Sequence, residues 1–415
     1  MKKLILLSAL ICLLSACSDD EKGSPMPAPI PDGHYLELIS TITPNQEEQY
    51  MGNICVTGKN IVVDWGDGSR ELLTGEVAPY FNCDHKYNGA GPYKIKVQTD
   101  ELEKLYIGDA IGTLPTNMKI SSCPKLTYLT FGLQPAKSLT VTDCPNLKQL
   151  EISICENLTS LDISDCTALE NLRCESNKSL TGIDLSHNTK LDYLTITQNK
   201  LTNLDLSHNL ALEFLVCGYN ELTSIDVSKL TALTQLDCTA NKITQLNLEN
   251  NTKLTFLGCS VNEGLTELDL SPCKELIYLH CNLNNMETLD ISNNIHLQSI
   301  RCESNPLKTL NLTRQAELIQ LFCRKCELTA LDVSNKPNIR MIDCHDNEME
   351  KKAIEAIFEA VPDYMATSKT RNEVIVKPTP VLVISGNPGF EKYSVESYNK
   401  FLEKGWRVAE TPEYN

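Results

Sequence analysis

The chain has 415 residues, a formal net charge of −17 and only 6% aromatic residues. An acidic excess of this size repels phosphate backbones, which argues against a nucleic-acid partner. Abundant leucine with few aromatic side chains is typical of short stacked units and argues against one large globular core.

Residues 1–16 have the features of an export signal. Lys2 and Lys3 form a basic start, and residues 4–14 form an apolar run that is too short to cross a bilayer as a helix. The segment 14–17 reads Leu-Ser-Ala-Cys and resembles the lipobox of bacterial lipoproteins. This resemblance implies that Cys17 is acylated, for example with palmitate, and becomes the new N-terminus. The alternative is an ordinary secretory signal with a chance cysteine.

Residues 17–33 are predicted to be a tether. The charged run at 18–22 resembles an acidic tag that sends lipoproteins to the outer face of the cell in one group of Gram-negative bacteria. The alternative is a solvated charged linker. Prolines at alternate positions from 25 to 31 favour a semi-extended chain. We therefore expect a lipid-anchored protein in the cell outer membrane that faces the extracellular side.

Residues 34–104 are predicted to form a small β-sandwich. A strand-like run ends at Trp65, a Gly-Asp-Gly-Ser turn follows at 66–69, and His85 and Tyr87 precede an alternating run at 93–97. These features resemble a PKD domain with a shortened turn, which implies a spacer or a weak binding module. The alternative is an unclassified β-sandwich.

Residues 105–349 contain an internal repeat of the form LxxLxCxxNxLTxLDLSxNxx. Its copies begin 21 or 22 residues apart, at Leu126, Leu147, Leu169, Leu191, Leu212, Leu233, Leu254, Leu276, Leu297, Leu318 and Ile339. The pattern resembles the leucine-rich-repeat family and predicts an α/β-type solenoid of mostly parallel β-structure with little helix. Leu105 and Ile107 are expected to carry the sandwich into the first repeat strand.

The spacing within one unit predicts which side chains point inward. Counted from the first residue of the unit, positions four and six lie two apart and face the same side of a short strand. The asparagine at position nine is expected to bond backbone groups that the turn would otherwise leave unpaired.

Cysteine replaces the usual leucine at position six in eight units, at Cys174, Cys217, Cys238, Cys259, Cys281, Cys302, Cys323 and Cys344. This cysteine ladder is similar to that of internalin J-like surface adhesins, although a lipid here replaces a wall-sorting signal. Because every ladder thiol points the same way into the core, we expect buried free thiols. Cys55 and Cys83 lie outside the repeats, and the sequence leaves open whether they form a disulfide.

Two motifs within the repeats could bind metal. Cys323 and Cys326 form a CxxC pair, but both fall on inward-facing repeat positions. The LDLS segments also place acidic residues in a column, which could bind calcium or could be solvated residues on a second strand face. The column comprises Asp162, Asp184, Asp205, Asp226, Asp269, Asp290 and Asp332. We favour the structural interpretation of both motifs and predict no metal and no cofactor.

Positions three, five and seven are expected to face the concave side of the solenoid. Position three is aromatic in four of the five units from 191 to 276, at Tyr193, Phe214, Phe256 and Tyr278, with His280 at position five beside the last. Exposed aromatic rows are typical of interaction sites, so these five residues are the predicted ligand-binding surface. The alternative is that the rings stabilise cross-strand packing.

Residues 350–415 depart from the repeat pattern and are predicted to form an α+β cap over the open apolar end of the stack. Apolar residues at helical spacing predict a helix over 351–361, which Pro362 ends. A strand at 381–384 and a second helix at 395–403 follow, and Gly405 ends that helix.

The predicted segments account for the whole chain and contain no GxSxG, HExxH or phosphate-binding loop. We therefore expect a monomeric, non-catalytic adhesion module whose partner is a host or bacterial surface protein or a glycan. The alternative is a structural surface scaffold without a dedicated ligand. The sequence identifies no particular ligand.

The lipobox predicts that Cys17 carries fatty acid. Cells that express the protein should incorporate a fatty-acid analogue into the wild type but not into Cys17→Ala. Equal labelling of the two proteins would contradict the acylation, and protease treatment of intact cells would test the outward orientation separately.

Overall fold

The computed structural model describes residues 28, 36–42, 54–56, 61–73, 81–83, 85, 91–98, 102–107, 117–132, 136–369 and 379–409. The predicted signal, Cys17 and nearly all of the tether lie outside the described residues. The side chains of Cys55 and Cys83 also lie outside them, and the backbone register pairs Cys55 with Asn82 and Cys83 with Ile54.

The segment before the repeats is built from strands in two sheets. The strands are β1 (Leu36–Ile42), β2 (Ile54–Val56), β3 (Ile61–Asp64), β4 (Arg70–Leu73), β5 (Phe81–Cys83), β6 (Gly91–Gln98) and β7 (Lys104–Ile107). One sheet contains β1, β6, β3 and β4, and the other contains β5, β2 and β7. Alternate residues of β3 and β6 are buried in the same core as the apolar residues of β7. The turn after β3 is closed by His85, whose Nε2 lies 2.7 Å from Oδ2 of Asp67.

Both sheets continue into the repeats. Leu105 and Ile107 lie in β7, which pairs in parallel with β9 (Tyr128–Gly132) of the first repeat, as the sequence predicts. On the other side, β1 pairs with β8 (Asn117–Ser121), which begins a parallel set with β10 (Ser138–Thr142) and β12 (Ser160–Asp162). The backbone hydrogen bonds of both sheets therefore cross the predicted boundary at residue 105.

The repeats form a parallel-strand solenoid of the leucine-rich-repeat type, as predicted. After β9, its main sheet contains β11 (Gln149–Ser153), β13 (Asn171–Glu175), β14 (Tyr193–Thr195), β15 (Phe214–Val216), β16 (Gln235–Asp237), β17 (Phe256–Gly258), β18 (Tyr278–His280), β19 (Ser299–Arg301), β20 (Gln320–Phe322) and β21 (Met341–Asp343). We call each of these strands a rung. Adjacent rungs pair in register, so each unit position stacks on the same position of its neighbours.

The second half of the unit differs from the sequence expectation. One interpretation places the acidic column on a second strand face, but of its members only Asp162 lies in a strand, β12. From residue 163 to 350, all of which the structure describes, this half of the unit is built from turns. In each turn an aspartate or asparagine accepts a hydrogen bond from the backbone N–H two residues later, as Oδ1 of Asp184 does from Ser186 at 2.9 Å and Oδ1 of Asn247 does from Glu249 at 3.0 Å. This local bond replaces pairing with the next unit.

The core is a set of stacked apolar columns. The first residue of every unit and the leucine or isoleucine at position four are fully buried. The ladder cysteines are buried free thiols, as predicted. Burial raises the pKa of the Cys174 and Cys259 thiols to about 12, so these groups stay protonated and act as small apolar side chains.

The asparagines at position nine form a second ladder. Nδ2 of Asn241 donates to the backbone oxygens of Cys217 at 3.1 Å and Cys238 at 3.0 Å. Its Oδ1 accepts from the Leu222 backbone nitrogen at 3.0 Å. One side chain thus joins its own rung to the preceding rung and its turn, which is the role that the sequence predicts for this position.

The cap contains α1 (Lys351–Ala360), α2 (Tyr364–Lys369), β22 (Val381–Val383), α3 (Val395–Glu403) and β23 (Arg407–Val408). The predicted helices and strand are present to within one residue, whereas α2 and β23 were not predicted. The rings of Phe358 in α1 and Phe401 in α3 lie 4.7 Å apart between their centres. In the part of the chain that the structure describes, none of the helices has the length and apolar character to cross a membrane.

The cap also continues the repeat. β22 pairs in parallel with β21, and Nδ2 of Asn387 donates to the Cys344 backbone oxygen at 3.0 Å, as a position-nine asparagine would. Gly386 precedes it with a φ of 71°. β22 is therefore one further rung that lacks the leucine at position one.

The asparagine ladder predicts a clear stability effect. Asn241→Ala leaves a buried backbone N–H and two carbonyls without these bonds and should lower the free energy of unfolding by about 2 kcal/mol. Urea unfolding should show this loss, whereas Asn203→Ala, at an exposed asparagine two units earlier, should change stability by less than about 0.5 kcal/mol. Equal effects of the two substitutions would contradict the role of the ladder.

Candidate binding surface

The side chains at positions three, five and seven form one face of the main sheet, which we call the sheet face. Tyr193, Phe214, Phe256 and Tyr278 are the first residues of their rungs, and His280 is the last residue of β18. In-register pairing places the four rings in one column, interrupted by Gln235 on β16. The structure therefore brings the predicted residues together over five adjacent rungs.

The first two rings of the column pack on each other. The rings of Tyr193 and Phe214 are stacked with centres 4.3 Å apart and planes 4° apart. The Arg173 guanidinium carbon lies 4.9 Å from the centre of the Tyr193 ring, and Nη2 of Arg173 donates to the Tyr193 hydroxyl at 3.2 Å. Both faces of Tyr193 are thus in contact with the protein, which is the arrangement that cross-strand packing would produce.

The second pair of rings is arranged differently. Phe256 meets the ring of His280 edge to face, with centres 5.2 Å apart, and Tyr278 is 44% exposed. Between them lies Gly258, where a Cβ would approach Oδ1 of Asp237 to 2.8 Å and Cε1 of Phe256 to 3.2 Å. Because position 258 has no side chain, the Phe256 ring and the Asp237 carboxylate pack closely over its backbone. We call Phe256, His280 and Asp237 the Gly258 cluster.

Small polar groups continue the surface at position seven of the same rungs. Gly218 and Ser260 are buried, and the side chains of Thr239 and Asn282 are half-buried. Oγ of Ser260 donates to Oδ1 of Asn282 at 2.7 Å. The sheet face over β15 to β18 thus has rings at position three and small hydrogen-bonding groups at position seven.

The charges on this surface are unevenly distributed. Burial lowers the pKa of His280 and Arg301 adds to this effect, while Asp237 opposes it, so the imidazole is neutral at pH 7. At position two, beside the ring column, Asp192 is flanked by Glu170 and Glu213 on the neighbouring rungs. Burial and then the charges of these two neighbours raise the pKa of Asp192. The edge of the ring column is therefore acidic.

The CxxC pair and the acidic column, which could have bound metal, make contacts within the repeats. Cys323 and Cys326 are buried, as the repeat register predicts. The pKa of Asp184 is lowered, first by the Ser186 backbone N–H. Within the described ranges, no group of three histidine, cysteine or acidic side chains is placed to hold a metal ion.

One group on the sheet face was missed in the sequence. On β19 to β21 the Arg301 guanidinium carbon lies 4.4 Å from the centre of the Phe322 ring, and Nδ1 of His345 lies 2.5 Å from Oδ1 of the buried Asp343. Charged residues at positions five and seven of these units were the available signal, but the predicted site was confined to the units with aromatic residues at position three and the neighbouring His280.

No protein-family model matches the chain, and no curated protein is significantly similar to it. Among solved structures, the functional domain of InlJ from Listeria monocytogenes, which includes a cysteine ladder, is 27% identical and has a TM-score of 0.45. That match covers 60% of this chain and 63% of the other, so this chain spans less than two thirds of that domain.

Two further solved structures are similar. The internalin InlF of Listeria monocytogenes is 19% identical with a TM-score of 0.48, over 75% of this chain and 87% of that chain. A leucine-rich-repeat protein of Leptospira interrogans is 17% identical with a TM-score of 0.40, over 69% of this chain and 91% of that chain.

Proposed function

We propose that the protein is a surface-exposed lipoprotein that acts as a non-catalytic binding and adhesion module. Its partner is a surface protein or glycan of a host cell or of another bacterium, and the contact is made by the sheet face of the repeats. The lipid on Cys17 anchors the chain as a monomer in the outer membrane, and the PKD-like segment holds the repeats away from it.

The observation that carries this proposal is the Gly258 cluster on β16 to β18, with an exposed tyrosine beside it. Phe256, His280 and Asp237 converge over Gly258, and the neighbouring Tyr278 remains 44% exposed. An exposed aromatic ring beside a few half-buried polar groups is the usual composition of an interface anchor. Tyr278 gains little for the fold from its position, because nearly half of its surface is in water.

The scaffold alternative is favoured by one specific observation, the stack of Arg173, Tyr193 and Phe214. These groups contact one another across adjacent rungs and stabilise the sheet whether or not a ligand binds. We therefore divide the ring column: Tyr193 and Phe214 support the sheet, and Phe256 and Tyr278 contact the partner.

This division predicts opposite effects of two matched double substitutions. Tyr193→Ser with Phe214→Ser should lower the melting temperature, since a stacked pair contributes about 1 kcal/mol beyond its buried area. Phe256→Ser with Tyr278→Ser should leave the melting temperature nearly unchanged and should weaken binding at least about tenfold. Binding would be measured with fluorescent 18–415 chain on intact host and bacterial cells.

If the second double variant melted lower and still bound fully below its transition, the whole column would be structural. The scaffold alternative would then be correct.

A further inference from the structure

A column of exposed apolar side chains borders the sheet face at position eight. It consists of Tyr219, Ala240, Val261 and Leu283 on the consecutive rungs β15 to β18, and we call it the ridge. Tyr219 is 61% exposed, Leu283 is 49% exposed and Val261 is 36% exposed. Because the rungs are in register at a spacing of about 4.8 Å, the ridge extends for roughly 14 Å.

These residues stand where the backbone disfavours them. Position eight has a φ of 57° in Tyr219 and Val261 and of 56° in Leu283, which is the left-handed region. A β-branched or bulky side chain is strained there, and glycine or asparagine fits best. Most other units use polar residues at this position, such as Ser176, Gln198 and Ser304, and the cap uses Gly386; the unit at 147 has the isolated apolar residue Ile154.

The side chains of the ridge therefore lower the stability of the folded chain in two ways. They strain the backbone, and they expose apolar surface that burial does not offset. Single exposed apolar residues are ordinary, but a row that follows consecutive rungs beside the Gly258 cluster marks an interaction surface.

The charges around the ridge indicate what kind of partner fits. Glu221 and Glu263 follow Tyr219 and Val261 by two residues. Lys242 lies 2.9 Å from Glu221, whereas no ion pair is seen for Glu263 among the described residues. The apolar ridge thus has one carboxylate beside it, Glu263, that no described cation neutralises, in a chain whose net charge is −17.

We propose that the ridge and the adjoining Gly258 cluster dock an extended polypeptide segment of another protein, one that combines apolar side chains with lysine or arginine. This inference rests on the proposed binding function and identifies its partner as a protein. Aliphatic side chains such as Val261 and Leu283 favour a protein over a glycan. A second copy of this chain, or its own acidic run at 18–22, is repelled, because the chain has a net charge of −17.

The test selects 12-residue peptides from a random phage-displayed library on the full mature chain and measures their affinities by fluorescence anisotropy. We expect peptides rich in apolar and basic residues. The combined substitution Tyr219→Asn, Val261→Asn and Leu283→Asn should weaken their binding by at least about tenfold. Its melting temperature should stay equal or rise, because asparagine accepts a left-handed backbone.

Ile154→Asn is the matched control. Ile154 is also at position eight, with a φ of 56° and 42% exposure, but it lies on β11, away from the ridge. It should tolerate asparagine equally well and keep full peptide affinity.

Three results would overturn the inference: full affinity of the triple variant, selection of acidic peptides or of none, or binding of glycans but not of peptides. Loss of binding in Phe256→Ser with Tyr278→Ser, but not in the triple variant, would leave the proposed function standing and remove the ridge from it.

Discussion

The amide of the position-nine asparagine is the interaction on which the solenoid depends. The chain leaves each rung through a buried turn, and its backbone groups there have no partner in their own unit. Asn241 provides those partners with one side chain, since it bonds the carbonyls of Cys217 and Cys238 and the N–H of Leu222. Each unit is thereby fixed to the preceding one, and the register of the sheet follows.

The same turn explains why the side chains at position eight are exposed beside the sheet face. To bring the asparagine inward, the residue before it adopts a left-handed backbone in every unit from 147 to 339. Its side chain then projects beside the sheet face, where no core position requires an apolar residue. Core packing therefore does not restrict the residue type at this position, and we infer that Tyr219, Val261 and Leu283 contact a partner. A fixed register also holds Phe256 and Tyr278 in place on neighbouring rungs without support from a ligand.

The sequence predicts the inward side of the molecule well because burial enforces its period. The leucines, Cys174 and its counterparts, and the helix Val395–Glu403 all lie where the spacing places them. Burial does not restrict the residues on the outward side in this way. Nothing in the residue types showed that Tyr193 and Phe214 stack while Tyr278 stays open, or that position eight is left-handed. Asn387 could have been recognised, since Leu382, Ile384 and Asn387 repeat positions four, six and nine.

Hydroxyl-radical footprinting of the mature chain with a selected peptide bound tests the location of the interface most directly, because it reports the exposure of individual side chains. We predict that oxidation of Tyr219, Tyr278 and Leu283 falls when the peptide is bound. Ile154 and Leu210, which are also exposed, should react equally in both states. Protection of Ile154 or Leu210 with unchanged oxidation of the other three would contradict this prediction.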